Sequence, residues 1–258
     1  KNVDDLAKNI NEGGYLLLHG PRASGTTTLC HNLRLGGIKS KSVLVSFQSG
    51  VVCSPPEAFW NSFGDHLLSE LKSQGVDIDK NFQITSAKDF SLLWKKPLEP
   101  FCLFIDEFDF LLQSGFQETL RQFLDSLRYL KDQRNTFKLK SVVVVGPPSI
   151  LQVTQNASLL SPFNITDIKS ALPFTEDQIN DLISQLSEQE KVKIEPAVTK
   201  DILKRTSGHA GLVCFCLKSI HERLLIGKNQ LSMEEWTRYA IRELPQHVTN
   251  WATMGKIH

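Results

Sequence analysis

Residues 20 to 28 read Gly20-Pro21-Arg22-Ala23-Ser24-Gly25-Thr26-Thr27-Thr28. This spacing fits the phosphate-cradling pattern G-x-x-x-x-G-K-[ST] at every position but one, because Thr26 stands where the pattern has Lys. The chemistry needs glycines so that backbone can approach a phosphate, and backbone N–H groups at a helix start to meet its charge. Thr27 is placed to offer a hydroxyl to Mg²⁺. Thr26 offers one neutral hydrogen bond where Lys would bring a point charge to the β- and γ-phosphates. A charge-assisted hydrogen bond is roughly twice as strong as a neutral one, so weak nucleotide affinity and weaker hydrolysis are expected. Arg22 is the one cation inside the loop, but it leaves from the variable part. The bland alternative is a Gly-rich strand-to-helix turn that binds nothing.

Leu103-Phe104-Ile105-Asp106-Glu107 is an apolar run ending in two carboxylates. A strand of this kind buries its body and presents acid at its carboxyl edge, where ligands of open α/β sheets bind. Asp106 is expected to hold Mg²⁺, through water, and Glu107 to act as general base on an attacking water. The alternative is a solvated helix start, where acids are favourable anyway.

Other candidates are weaker. Ser149 and Gln152 follow the run Val142–Gly146 and could sense a γ-phosphate, or Ser149 could simply cap a helix. Arg205 precedes Thr206-Ser207-Gly208-His209-Ala210-Gly211, a turn that could sit over a nucleotide base with the arginine toward the phosphates; a solvated arginine and a structural His209 are the plain readings. Arg121 and Arg128 share a helix face and could act on a neighbouring copy, against the simpler reading of a surface face.

These residues need a scaffold. Tyr15–His19, Ser42–Phe47, Phe101–Ile105 and Val142–Val145 are short continuous apolar runs, as expected of strands buried on both faces of a parallel sheet. Helical patterns lie between them. Ser54-Pro-Pro-Glu57 reads as a capping box ahead of Phe59, Trp60, Phe63, Leu67 and Leu71, and Phe116, Leu120, Phe123, Leu124 and Leu127 repeat the spacing. Residues 163–169 are a candidate fifth strand. After Pro173 four helices are expected: one capped at Thr175–Gln178, one from Glu195-Pro196, one over 210–226 and one capped at Ser232–Glu235. The organisation is thus an α/β parallel-sheet core over 1–171 and a small all-helical unit over 172–258.

Composition narrows the partners. Charged residues make up 22% and nearly cancel, to a formal net charge of +1, so no positive field exists to hold a polyanion non-specifically. The five cysteines, at 30, 53, 102, 214 and 216, are odd in number and show no disulfide framework, which favours a reduced, intracellular environment. Cys102 and Cys216 read as core residues, and Cys214 and Cys216 as facing different ways on one helix. The seven histidines have no metal-ligand spacing. No apolar run approaches the roughly 20 residues of a membrane span, so no membrane partner is expected. The chain opens on Lys1 rather than Met, as expected of an excised or processed domain.

Taken together, the chain resembles the AAA+/STAND P-loop NTPases over nearly its whole length. Leu18 to Thr27 looks like the LxGPRxxGKTT loop, and Phe104-Ile-Asp-Glu-Phe-Asp109 like the acidic strand. Ser161-Pro-Phe-Asn-Ile165 with Leu172-Pro-Phe-Thr-Glu176 is similar to the SPFN…LPxFTxEE stretch, and Ser207–Leu212 to the GGHPxL turn, with Ala210 in place of Pro. The resemblance implies an additional-strand sheet, a C-terminal helical lid, ATP and Mg²⁺ as ligands, and nucleotide-driven lid movement. It assigns Gly20 to Thr28 and His209 to nucleotide, Thr27 and Asp106 to metal, and Glu107, Asp106 and Arg205 to catalysis. The chain also looks like the NTPase domain of Crinkler-type effectors of oomycetes and fungi. These carry an adjacent nuclease-like domain and are secreted to act in the host nucleus or cytoplasm. A protein partner or adjacent effector domain outside these residues is therefore implied, with nucleic acid reached only through such a domain. The competing reading is a pseudo-NTPase scaffold that does not hydrolyse nucleotide, which Thr26 and Ala210 favour. A small-molecule kinase would need a substrate lid of different composition.

Overall fold

Strand side chains alternate between two buried layers, which is what makes the apolar runs continuous. In the computed structural model, which describes residues 2–48, 50–95, 99–155, 162–163 and 168–249, β1 (Tyr15–His19), β2 (Lys41–Ser46), β3 (Phe101–Asp106), β4 (Leu139–Gly146) and β5 (Ile168–Ser170) form one sheet in the order β2-β3-β4-β1-β5. Every pairing is parallel. Insertion of β4 between β1 and β3 is the additional-strand arrangement.

Tyr15, Leu17, Val43, Val45, Leu103, Ile105, Val142 and Val144 point to one face. They meet α3 (Pro56–Ser73), α4 (Ala87–Leu93) and α5 (Gln117–Asp132) in the largest core. Leu16, Leu18, Cys102, Phe104, Val143 and Val145 point to the other face. They meet Leu6, Ala7 and Ile10 of α1 (Asn2–Asn11) and Cys30 of α2 (Thr26–Asn32). The first core is dominated by rings. Phe123 of α5 lies within 6.2 Å, centroid to centroid, of Phe47, Phe59, Trp60, Phe63, Phe90 and Phe108.

The short helix α6 (Gln152–Gln155) follows a 3₁₀ turn at Pro148–Leu151. The fifth strand is three residues, Ile168–Ser170, paired with Leu17–His19; of the expected stretch, residues 164–167 lie outside the described residues. So do Ser161 and Asn164 of the SPFN motif, of which only Pro162 and Phe163 are described. One capping expectation is corrected. α3 begins at Pro56 with Pro55 at its N-cap, and Pro55 has no side-chain acceptor, so Ser54 stands one residue too early to cap.

The C-terminal residues form a second compact unit with its own core. It comprises α7 (Glu176–Glu190), α8 (Pro196–Thr206), α9 (Ala210–Ser219), α10 (Met233–Arg242) and α11 (Leu244–Thr249). It is not all-helical as expected: β6 (Lys193–Ile194) and β7 (Gln230–Leu231) pair in parallel, and two-residue strands leave no periodicity to read. Thr175 and Ser232 do make reciprocal capping boxes, with Gln178 and Glu235. Trp236 is fully buried, and its Nε1 donates to Asp201 Oδ2 at 2.7 Å, which satisfies the indole N–H inside the core. Residues Pro21–Gly25 pack with this second unit, and Gly20 and Thr26 with the first.

Candidate functional site

Parallel pairing delivers the carboxyl ends of all five strands to one edge of the sheet. Leu17 of β1 and Ile105 of β3 both register with Val144, so the loop after β1 and the acids after β3 leave at the same level. Gly20 N–H donates to Gly146 O at 3.2 Å and carries the β1–β4 ladder one residue past the strand.

Thr27, in the first turn of α2, is exposed, and Asp106, at the end of β3, is only 7% exposed. The structure brings them together: Thr27 Oγ1 donates to Asp106 Oδ2 at 2.8 Å. Asp106 Oδ1 accepts the Glu107 N–H at 2.9 Å, which fixes the carboxylate plane. Glu107 itself is half-buried and left-handed, at φ 54°, ψ 41°. That conformation costs a non-glycine residue about 1–2 kcal/mol. It is imposed from both sides, by the buried strand β3 and by the following 3₁₀ turn Phe108–Leu112, anchored through buried Phe108 and Leu111. Residues held in this region cluster at active sites and ligand clamps, though Lys191 adopts the same conformation at the end of α7.

The Thr27–Asp106 pair fits a hard divalent cation. Mg²⁺ takes oxygen ligands and usually keeps several waters. Thr27 Oγ1 and Asp106 Oδ2 are oxygens of that kind, held 2.8 Å apart by their own hydrogen bond. Among the described residues no group of three or more His, Cys, Asp or Glu side chains could hold a metal, so the remaining ligands would have to come from water and substrate oxygens. Mg²⁺ sites in phosphate-transferring proteins are of this kind.

Loop residues Pro21–Gly25 belong to the second unit. Within Pro21–Gly25, Ser24 N–H donates to Pro21 O at 3.0 Å, Ala23 is left-handed at φ 60° and Gly25 lies at φ 85°. Ser24 Oγ is buried without a hydrogen-bond partner. In the same unit Ser207 and Gly208 are both left-handed, at φ 48° and 75°. Gly208 has a second reason to be glycine, since a β-carbon there would run into the Phe174 carbonyl, whose own N–H donates to Gly208 O at 2.8 Å. His209 caps α9, its Nδ1 accepting the Leu212 N–H at 3.3 Å, while Nε2 is buried and unpartnered. Arg205 Nε donates to Asp201, which also holds Trp236, so the arginine is positioned from inside the C-terminal core.

Thr26 is half-buried at the start of α2, Thr28 is exposed, and Arg22 is half-buried. Ser149 and Gln152 are exposed beyond β4. Arg121 pairs with Glu118 and Asp125 on an exposed helix face, and Arg128 is exposed on the same helix. Sequence reasoning missed the left-handed backbone at Ala23 and Glu107, which residue type does not announce, and the buried Ser24 hydroxyl. A cavity of about 220 Å³ at the opposite edge of the sheet, lined by residues including Arg134, Lys138 and Lys140, takes no part in this arrangement.

Titration follows burial. Cys30 and Cys216 are pushed up to about 12 and Cys102 to about 11, chiefly by desolvation, so these thiols stay protonated and inert, while Cys214 faces solvent. His19, the last residue of β1, is lowered from its ordinary value by burial, with Nδ1 buried and unpartnered. The unfolded chain therefore binds a proton at His19 more readily than the folded one, and stability falls as pH drops below the ordinary histidine value of about 6.5. Thermal melts between pH 7.5 and 5.5 are expected to show a shallower pH dependence for His19→Gln than for the unaltered chain. Equal slopes would dismiss this.

No protein-family profile matches the chain, and no curated protein matches it. Solved structures do. The Walker-type ATPase of Pyrococcus abyssi is similar with a TM-score of 0.62 at 17% identity, over 92% of this chain and 70% of that one. The Orc1 protein of Aeropyrum pernix, solved in complex with DNA, gives 0.56 at 15% identity, over 96% and 66%. The RuvB Holliday junction branch migration motor of Thermotoga maritima gives 0.54 at 18% identity, over 98% and 70%. This chain thus spans roughly two thirds of the length of each. At such identities the likeness is one of fold, and with the β2-β3-β4-β1-β5 order it establishes that the chain has the fold of an AAA+ P-loop NTPase.

Proposed function

We propose that the chain is an ATP-binding P-loop NTPase module with a core over 1–171 and a lid over 172–258, in which nucleotide state moves the lid and hydrolysis is impaired by Thr26. The observation that carries this reading is the Thr27 Oγ1–Asp106 Oδ2 pair at 2.8 Å, with Glu107 held in a strained conformation beside it. Gly20 to Thr28 take the phosphates. Ser24 Oγ, a buried hydroxyl with no partner, suits a loop that receives oxygen acceptors. Thr27 and, through water, Asp106 would hold Mg²⁺, which would offset phosphate charge. Glu107 is the acceptor for the proton of the attacking water. Asp106 orients Glu107 by taking its backbone N–H. The family resemblance also assigns His209 to nucleotide and Arg205 to catalysis.

Thr26 sets the limit. A hydrogen bond to a charged group contributes about 1.5–3 kcal/mol, so Thr26→Lys is expected to tighten ATP binding by about 10- to 150-fold. Calorimetry with ATP, with and without Mg²⁺, checks this. Identical affinities for the two chains would remove the loop from the site. A second reading, a pseudo-NTPase scaffold, is favoured by Thr26 itself, and predicts that Thr26→Lys gains binding but no turnover. The narrower reading is the NTPase part of a Crinkler-type effector, working beside a further domain in a host nucleus or cytoplasm. The Leu18–Thr27, Phe104–Asp109 and Ser207–Leu212 resemblances support the wider P-loop NTPase reading and do not single out this one. No helix among the described residues is long and apolar enough to cross a membrane.

A further inference from the structure

Within the second unit the turn that starts α9 is pressed against the phosphate loop. A β-carbon at Gly211 would stand 2.7 Å from Ala23 O and 2.8 Å from Ala23 Cβ, closer than real β-carbons come to any neighbour. The first of these is backbone and has no rotamer to escape into. Gly25, two residues further along the loop, lies over Ala210, where an added β-carbon would make an ordinary 3.6 Å contact. Gly211 is in the first turn of α9 and has no positive φ to explain it. The close approach is the physical reason for glycine there. On the other side of the contact Ala23 is a non-glycine residue held at φ 60°. Two buried polar atoms without partners, Ser24 Oγ and His209 Nε2, belong to the same two segments, so no side-chain hydrogen bond through either of them ties loop to turn.

We propose that Gly211 is a positioning residue for the phosphate loop: its missing side chain lets the start of α9 close on Ala23 and holds the loop in its left-handed bend. The proposal rests on the reading of residues 20–28 as a nucleotide site, and adds that the loop's shape, and through it nucleotide affinity, is set by the residue at 211. A methyl group at 211 must push Ala23 away, because closely packed interiors do not absorb an added carbon without a shift. Removing the Ala23 methyl relieves one of the two close approaches and gives position 23 a residue that takes φ 60° freely.

The test uses the full chain in four forms: unaltered, Gly211→Ala, Ala23→Gly and the double variant. Amide hydrogen exchange of residues 22–27 is measured without nucleotide, and ADP affinity is measured by calorimetry in the Thr26→Lys background. Gly211→Ala is expected to speed exchange in the loop but not in α7 or α8, and to weaken ADP by about tenfold. The double variant is expected to recover at least half of both effects. The proposal is overturned if loop exchange is unchanged in Gly211→Ala, or if the loss is the same whether residue 23 is Ala or Gly. If Gly211→Ala does not fold, Ala23→Leu creates the clash from the loop side and must speed loop exchange; unchanged exchange there overturns the proposal equally. Absence of ADP binding in every form, including Thr26→Lys alone, sinks the nucleotide reading, while the exchange arm still decides whether Gly211 positions the loop.

Discussion

In a chain carrying Thr26→Lys, the proposed role of Glu107 leads us to expect that Glu107→Gln lowers Mg²⁺-dependent ATP turnover by about 10²- to 10⁴-fold, the usual range for loss of a positioned proton acceptor, and leaves ATP affinity within a few-fold. The split follows from the geometry. Asp106, not Glu107, takes the Thr27 hydroxyl, and Asp106 Oδ1 takes the Glu107 backbone N–H, which the substitution retains. Glutamine has the shape of glutamate and no proton-accepting charge, so on this reading ground-state contacts should survive and the chemical step should not. Steady-state phosphate release and calorimetry on the same protein give the two readouts. Turnover that persists in Glu107→Gln would assign the proton to another group. Loss of ATP binding instead would make Glu107 a structural residue at the end of β3.

Phe123→Ala is expected to destabilise the core unit by about 3–5 kcal/mol, the range for truncating a fully buried aromatic side chain. Phe123 is fully buried, and six other rings surround it at 5.5 to 6.2 Å between centroids, in edge-on and tilted orientations. These rings come from the β2 end, α3, α4 and the turn after β3, so the void cannot be closed by moving one element. Edge-to-face contacts add roughly 0.5–1.5 kcal/mol per pair beyond area burial, which places the loss toward the top of the range. Phe108 belongs to this cluster and also anchors the turn that bends Glu107. The variant is therefore expected to lower the melting temperature and to relax the acid end of β3 together. Arg128→Ala, exposed on the same helix, serves as the control and should change stability by no more than about 0.5 kcal/mol. A Phe123→Ala melt indistinguishable from that control would refute the packing account.

Much of this molecule is legible in its sequence because its parts are local. Four apolar runs became β1 to β4, displaced by a few residues at most, since a strand buried on both faces needs apolar residues at every position. Thr175 and Ser232 capped where they were expected to, because a capping box is closed within four residues. The Ser54 box failed because Pro55 took the cap position, and the ribbon β6–β7 was invisible because two residues have no period. The pairing of Thr27 with Asp106 was inferable only as a pattern. What joins them is the insertion of β4 between β1 and β3, which depends on residues 79 positions apart in the chain.

The sequence by itself determined the acid-ended strand, the glycine loop with its missing charge, and the helix starts of the second unit, since each depends on neighbouring residues alone. Only the tertiary structure decided the left-handed backbone at Glu107 and Ala23, and the approach of Gly211 to Ala23 O. Those conformations are imposed on ordinary residues by packing from elements distant in the chain, where overlap of atoms, rather than local preference, selects the geometry.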